Sequence, residues 1–230
     1  MSESPAITRE TLEAIRQFDT CRIANALEAF GLRLRNEGTT QPGLRSLGGN
    51  SLSALGFAVT ARFRASDPPM VGTAYPDRTD WWDYLASGPG PRLAVLEDLE
   101  DPPGSGAVAG EMHCQVLRAL GCVGLVTNGS VRDLPALEAM PFPAFARSTC
   151  VSHAYVHIVD FGQPVEILGL KIQSGDLIYA DCHGAICIPA AAAKDLPVIA
   201  AEQTRRERRV IDLCQSSQFT IDALRSEVRK

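Results

Sequence analysis

The stretch 110–133 constrains this chain most. It reads GEMHCQVLRALGCVGLVTNGSVRD. Val108, Met112, Gln115, Val116, Ala119 and Leu120 recur at spacings of three and four, the period of a helix face. Gly121 ends that helix. The apolar run 122–126 is too short for a helix and is bounded by glycines, so it predicts a buried strand. Thr127, Asn128, Gly129 and Ser130 have the composition of a turn. Arg132 and Asp133 follow, and Pro135 stands in the first turn of another helix, where proline is tolerated. Ligands of open α/β sheets bind beyond the carboxyl ends of strands. Arg132 and Asp133 occupy such an end.

These residue types suit one chemistry. Arginine presents a planar fork of donors that matches a carboxylate. Aspartate offers hard oxygens to a divalent cation such as Mg²⁺. Glu111 opens the preceding helix, where free N–H groups and the dipole favour an anion. Twenty residues separate Glu111 from Arg132. That is one helix and one strand, enough to leave one end of a sheet and return to it. The pattern is equally met by a solvated Arg132–Asp133 surface pair with Glu111 merely favouring a helix start. Pattern alone leaves both readings open.

An acid preceded by glycine, then twenty residues, then Gly-x-Val-Arg-Asp resembles the RraA-like family. The likeness runs from IANALEAFGL near the N-terminus to SGDLIYADCHGAICIP at 174–189. That family holds class II 4-hydroxy-4-methyl-2-oxoglutarate and 4-carboxy-4-hydroxy-2-oxoadipate aldolases, and also the non-catalytic regulator of ribonuclease activity A. Two positions depart from its pattern. Glu111 replaces the commoner aspartate, and Ala136 stands where an acid usually follows Arg-Asp after two residues.

The resemblance implies a compact α/β/β, swivelling-domain-like fold: one domain over 1–230 with mixed sheets and flanking helices. It implies a homotrimer or dimer of trimers with sites near subunit interfaces. It further implies a lyase that cleaves a small 4-hydroxy-2-oxo di- or tricarboxylic acid to pyruvate and decarboxylates oxaloacetate by the same enolate. Asp133 would hold Mg²⁺ or Mn²⁺. Arg132, with backbone N–H groups over 110–113 (Gly110, Glu111, Met112, His113), would hold the substrate carboxylate. Glu111 would orient the water that accepts the C4 hydroxyl proton. The alternative implied is a regulator acting through a protein surface.

Composition narrows the partners. The chain has 230 residues, 21% charged, with net charge −5, so nothing suggests a nucleic-acid surface. No apolar run approaches the ~18 residues of a membrane span, and the start, MSESPAITRETLEAI, lacks a signal-peptide pattern. A cytoplasmic location is the expectation. The seven cysteines are scattered without any C-x-x-C, so neither a disulfide framework nor a zinc site is expected. Lysines occur at Lys171, Lys194 and Lys230, none near the Arg-Asp pair in sequence. A Schiff-base aldolase needs a buried lysine, so metal-assisted chemistry is the better expectation. His153 and His157 lie four apart in strand-like surroundings. That spacing puts them about 13 Å apart, too far to share an ion. One of them, or His183 in the 181–184 turn, is a candidate for a pocket wall.

Elsewhere the patterns predict helices over 8–18 and 20–30, capped at Asp19 or Thr20 and closed by Gly31. They predict loop over 32–54, strands over 56–65 and 93–96, and a short helix over 80–85. The acidic loop 97–101 reads first as a solvated loop, and it would enter the same crevice as Glu111. Strands are expected over 143–148, 154–161, 177–180 and 185–188, with a hairpin over 163–172 turning at Gly169. The tail 190–230 reads as helix, and its RRERR run as a solvated face.

Overall fold

The alternation over 56–65 becomes a long strand. In the computed structural model, which describes residues 7–47, 52–69 and 79–229, contacts divide the chain into two units. One is Arg35–Ala190 and the other is Met1–Leu34 with Ala191–Lys230.

The larger unit begins with β1 (Arg45–Ser46), inside the stretch expected to be loop, and β2 (Ala54–Arg64). Helix α3 (Thr79–Ser87) carries both tryptophans, and Trp81 is fully buried. β3 (Arg92–Asp98), β4 (Ala107–Ala109) and α4 (Glu111–Ala119) follow. Then come β5 (Cys122–Val131), α5 (Leu134–Ala139) and β6 (Ala144–Thr149). β7 (His157–Phe161), β8 (Val165–Ile167), β9 (Leu170–Ile172), β10 (Leu177–Asp181) and β11 (Gly184–Ile188) complete the unit.

Nine of these strands form one mixed sheet in the order β1-β6-β5-β3-β2-β10-β11, with β4 beside β5 and β7 beside β2. The centre is parallel: β2 with β3, β3 with β5, and β5 with both β4 and β6. The flanks are antiparallel. β2 is long enough to serve two partners on one edge. Its first half pairs β10 and its second half pairs β7, with a register shift between Arg62 and Phe63. Arg62 then reaches across to Asp160 on β7 with a two-pronged ion pair.

Alternation sorts the core to both faces of the sheet. Phe63, Leu96 and Leu125 point to the helical side, among Trp81, Leu117 and Phe142. Leu93, Val95 and Val126 point to the other side, against Ile167, Leu170 and Ile172 of the separate β8–β9 hairpin. Helices, sheet and hairpin make the α/β/β layering. The hairpin turns at Leu168 and Gly169, both with positive φ (47° and 83°), the demand of the tight primed turns that join two strands.

The smaller unit is helical. α1 (Arg9–Ile15) is capped by Thr8, and α2 (Thr20–Glu28) by Asp19, which accepts the Arg22 N–H at 2.8 Å. α6 (Ala190–Ala193), α7 (Leu196–Gln215) and α8 (Ile221–Val228) form the tail. α7 packs on α1, α2 and α8. The RRERR run is a solvated face: Arg208 pairs with Asp212 and Arg209 with Glu227. Among the described residues no helix is long and apolar enough to cross a membrane.

Two sequence expectations change here. The stretch 127–130 is not a turn, because β5 runs on to Val131. Its polar side chains are buried yet satisfied: Thr127 accepts the Gly129 N–H at 3.0 Å, and Ser130 donates to the Gly104 carbonyl at 2.9 Å. Asn128 locks β5 to the end of β3, accepting the Asp98 N–H at 2.7 Å and donating to the Asp98 carbonyl at 3.1 Å. Strand β7 starts at His157, later than expected, because Ala154 takes a left-handed φ of 48°.

Asn128→Ala leaves both buried backbone groups of Asp98 without these partners. Each unmade bond costs roughly 1–3 kcal/mol, so chemical denaturation of the variant is expected to show a loss of about 3 kcal/mol.

Candidate functional site

Strand β4 explains why residues far apart in sequence meet. It lies parallel to the end of β5, with Ala107 opposite Ser130 and Ala109 opposite Val131. The Arg132 N–H continues the ladder by donating to the Ala109 carbonyl at 2.9 Å. Gly110 therefore faces the Arg132–Asp133 corner. A Cβ on Gly110 would lie 2.2 Å from Asp133 Oδ2 and 3.1 Å from Arg132 Cγ. Only a residue without a side chain allows this approach.

Asp133 itself is bent into the left-handed region, at φ 61° and ψ 39°. Aspartate tolerates that region better than most residues. It precedes α5 but does not cap it with its side chain. Instead Oδ2 turns back and accepts the N–H of Glu111, the first residue of α4, at 3.1 Å. The carboxylate thus sits at the positive end of a helix dipole. Arg132 Nε lies 3.7 Å from the same oxygen, and both side chains are about two-fifths exposed (39% and 43%).

The corner opens into a cavity of about 430 Å³. Gly110, Met112, His113, Arg132 and Asp133 line one side. β4 and the loop carrying His153, Ala154, Tyr155 and Val156 line much of the rest. Most of this wall is apolar, and its charged groups are those of Arg132 and Asp133, with His153 also in the lining. Five of the six residues singled out from sequence are thus brought together. Glu111 contributes its amide to Asp133, but its side chain is exposed and outside the lining. That amide is committed to Asp133 instead of facing open cavity.

Among the three candidate histidines, His153 reaches the cavity. His157 lies in β7, with Nδ1 2.8 Å from the Tyr155 carbonyl oxygen. His183 stands in the β10–β11 turn. The acidic loop does not enter the crevice as expected. Asp98 is buried and accepts the Glu100 and Gly104 N–H groups at 3.0 and 2.8 Å. Glu100 accepts those of Ala65 and Ser66. Both carboxylates hold turns. Lys171 and Lys194 are exposed and line no part of the cavity, and Lys230 is outside the described residues. Tyr155 and His153 lie on a loop without periodicity, so no sequence signal marked them together.

Two buried groups beneath the corner are chemically quiet. Burial, aided by the charge of Asp133, pushes the Cys114 thiol up to about 12, so it is no nucleophile. Burial also holds His113 down at about 4, against the opposing pull of its bond to the Val108 carbonyl. Its Nδ1 lies 2.8 Å from that oxygen. The ring is a neutral prop between β4 and α4.

The family model for RraA-like proteins, described as Aldolase/RraA, matches residues 20–187. The chain belongs to the RraA-like family. A candidate 4-hydroxy-4-methyl-2-oxoglutarate aldolase of Halalkalibacterium halodurans is 31% identical over 140 residues, covering 54% of this chain and 67% of that protein. An uncharacterised protein of Pseudomonas syringae pv. tomato superposes with a TM-score of 0.75 at 23% identity, over 98% and 97% of the two chains. RraAS2 of Streptomyces coelicolor, described as an unusual member of the RNase ES inhibitor RraA family, gives 0.68 at 21% identity over 90% and 98%. These two share the fold of this RraA-like chain.

Gly110→Ala is expected to fold, because the crowded atom ends a side chain that can rotate. Losing the charge-assisted Glu111–Asp133 bond costs roughly 1.5–3 kcal/mol. A crystal structure of the variant should show Asp133 Oδ2 turned off the Glu111 amide. An unmoved carboxylate would mean that the backbone gives way instead.

His113 has a folded-state pKa below its unfolded value near 6.5, so its contribution to stability is present above pH 6.5 and is lost as pH falls toward 4. The shift corresponds to roughly 3 kcal/mol. Across that window, His113→Asn should lose less stability than the parent by about that amount, read from denaturation midpoints.

Proposed function

We propose that this RraA-like protein is a divalent-metal-dependent lyase. It would cleave a small 4-hydroxy-2-oxo di- or tricarboxylic acid to pyruvate by retro-aldol chemistry, and decarboxylate oxaloacetate at the same site. The observation that carries this reading is the pairing of Arg132 with Asp133 at the mouth of a largely apolar cavity. The aldolase-like relative supports it.

The donor set suits Mg²⁺ or Mn²⁺. Asp133 offers a half-exposed carboxylate, already oriented by the Glu111 amide. Mg²⁺ takes one or two carboxylates and keeps several waters, so a single aspartate facing open space is enough. Asp133 would hold the ion, which when bound supplies Lewis-acid stabilisation of negative charge developing on the substrate.

The chain's own residues do the rest. The Arg132 guanidinium binds the C1 carboxylate through two parallel N–H bonds. The apolar walls from Ala107 to Ala109 and at Val156 offer no competing polar partner to the rest of the substrate. Glu111, whose exposed side chain lies outside the cavity lining, would act from the cavity rim, orienting the water that takes the C4 hydroxyl proton. The C4 hydroxyl gives up its proton, C4 becomes a carbonyl carbon, and the C3–C4 pair of electrons leaves with C3. Pyruvate departs after its enolate is protonated at C3. In oxaloacetate the departing group is carbon dioxide and the same enolate remains. A second copy covering exposed Met112 and Tyr155 would close the cavity mouth, consistent with assembly as a trimer or dimer of trimers.

The test is pyruvate release from oxaloacetate and from a 4-hydroxy-2-oxo acid, with and without Mg²⁺. Arg132→Lys is expected to lose about 10–100-fold, since a charge-assisted bond is worth roughly 1.5–3 kcal/mol. Asp133→Asn should abolish the Mg²⁺ response with only a small loss of stability, because asparagine tolerates positive φ and its side-chain oxygen can still accept the Glu111 N–H as a neutral bond. Turnover unaffected by chelator, or borohydride trapping on a lysine, would overturn the mechanism. No turnover by the parent chain would leave a non-catalytic regulator as the better reading.

A further inference from the structure

The hairpin joining β10 to β11 holds three metal-ligating side chains that the cavity does not use. Asp181 ends β10 opposite Gly184, so Cys182 and His183 form the whole turn. One ligand atom from each of the three residues lies within 4.8 Å of the other two. His183 Nδ1 is 3.2 Å from Asp181 Oδ1 and 3.6 Å from Cys182 Sγ.

These separations have a physical meaning. Tetrahedral Zn²⁺ sits about 2.0–2.1 Å from an imidazole nitrogen, about 2.3 Å from a thiolate and about 2.0–2.2 Å from a carboxylate oxygen. Tetrahedral angles then place nitrogen and sulfur about 3.6 Å apart, and nitrogen and oxygen about 3.4 Å apart. Both distances in the turn are near those edges.

The surroundings hold the donors in place while leaving them reachable. The Asp181 side chain is 10% exposed and that of His183 52%, and Cys182 is exposed. Asp181 Oδ1 also accepts the His183 N–H at 2.8 Å, which fixes the turn. Thr40 braces the hairpin from one side. It donates to the Ala185 carbonyl at 2.9 Å and accepts the Ala185 N–H at 3.0 Å. Gly184, with φ of 137°, lets Thr40 this close, since a Cβ there would lie 2.7 Å from its hydroxyl.

This turn is far from the cavity along the strands. Ala180 pairs with Ala54, the first residue of β2. β2 runs parallel to β3, and β3 to β5. The turn therefore lies at the amino end of the parallel strands, and Arg132 and Asp133 at the carboxyl end.

We propose that Asp181, Cys182 and His183 form a second metal site, for Zn²⁺ or a similar borderline-soft divalent cation, with water as the fourth ligand. A thiolate and an imidazole suit such an ion and not Mg²⁺. Binding requires the Cys182 thiol to lose its proton to solvent. The neutral His183 ring keeps its proton on Nε2 while Nδ1 takes the ion. Each ion therefore releases one proton, and affinity rises with pH.

The experiment uses the full chain, stripped with chelator and kept reduced. Cobalt(II) is titrated as an optical probe and Zn²⁺ as competitor. The expected result is a thiolate-to-cobalt charge-transfer band that saturates at one equivalent of cobalt per chain and is erased by Zn²⁺. Cys182→Ser should lose the band, and Asp133→Asn should keep it. Loss of an outer-shell partner already costs about 10–100-fold in metal affinity, so His183→Ala, which loses a ligand, should weaken binding at least that much. Circular dichroism establishes that the variants, altered at exposed positions, are folded. Absence of the band in the parent chain overturns the proposal. So does its survival in Cys182→Ser, which would assign the ion to another thiol.

Discussion

The contact between Gly110 and Asp133 is the constraint on which the candidate site rests. A short strand, β4, must lie alongside the end of β5, and the chain must then enter α4 without a side chain in the way. Once that is met, a helix amide and an aspartate from the opposite side of the corner satisfy one another. The aspartate gains orientation, and the helix gains an anion at its positive end. Removing either partner loses this bond, so the orientation of Asp133 and the start of α4 are held together.

The same economy appears one layer down. His113 and Cys114, both on α4, are buried groups with ordinary reactivities suppressed. They fill space and carry no charge at neutral pH. That leaves Arg132 and Asp133, both two-fifths exposed, as the charged groups at an apolar mouth. A floor of ionisable but neutral side chains costs little desolvation, and it lets two exposed charges dominate.

Much of this was legible from residues alone, and the failures have physical causes. The helix–strand–corner order showed in period and glycine placement, and the β8–β9 hairpin showed at Gly169. The Thr127–Ser130 run misled because its composition is that of a solvent-facing turn. The Ser130 hydroxyl and the Asn128 amide instead find partners from Gly104, Ser148 and Asp98, segments 18 to 30 residues away that local composition does not show. The acidic loop misled for the same reason, since Asp98 and Glu100 spend their charge on backbone N–H groups. The grouping at 181–183 escaped a spacing rule built for C-x-x-C because its three donors are consecutive. Only the fold of the turn shows that they converge.

The division of labour along β2 bears on how the chain is made. On one edge β2 meets β3, but on the other it depends on β7 and β10, which begin at His157 and Leu177. A ribosome working at roughly 5–20 residues per second needs about 5–20 s to cover the ~100 residues in between. Through that interval an eleven-residue strand, buried along most of its length in the finished fold, has one edge unpaired. Unpaired apolar edges template association between chains. The interval over 65–177 is therefore the part of synthesis in which this topology leaves its central strand most open to pairing with another chain.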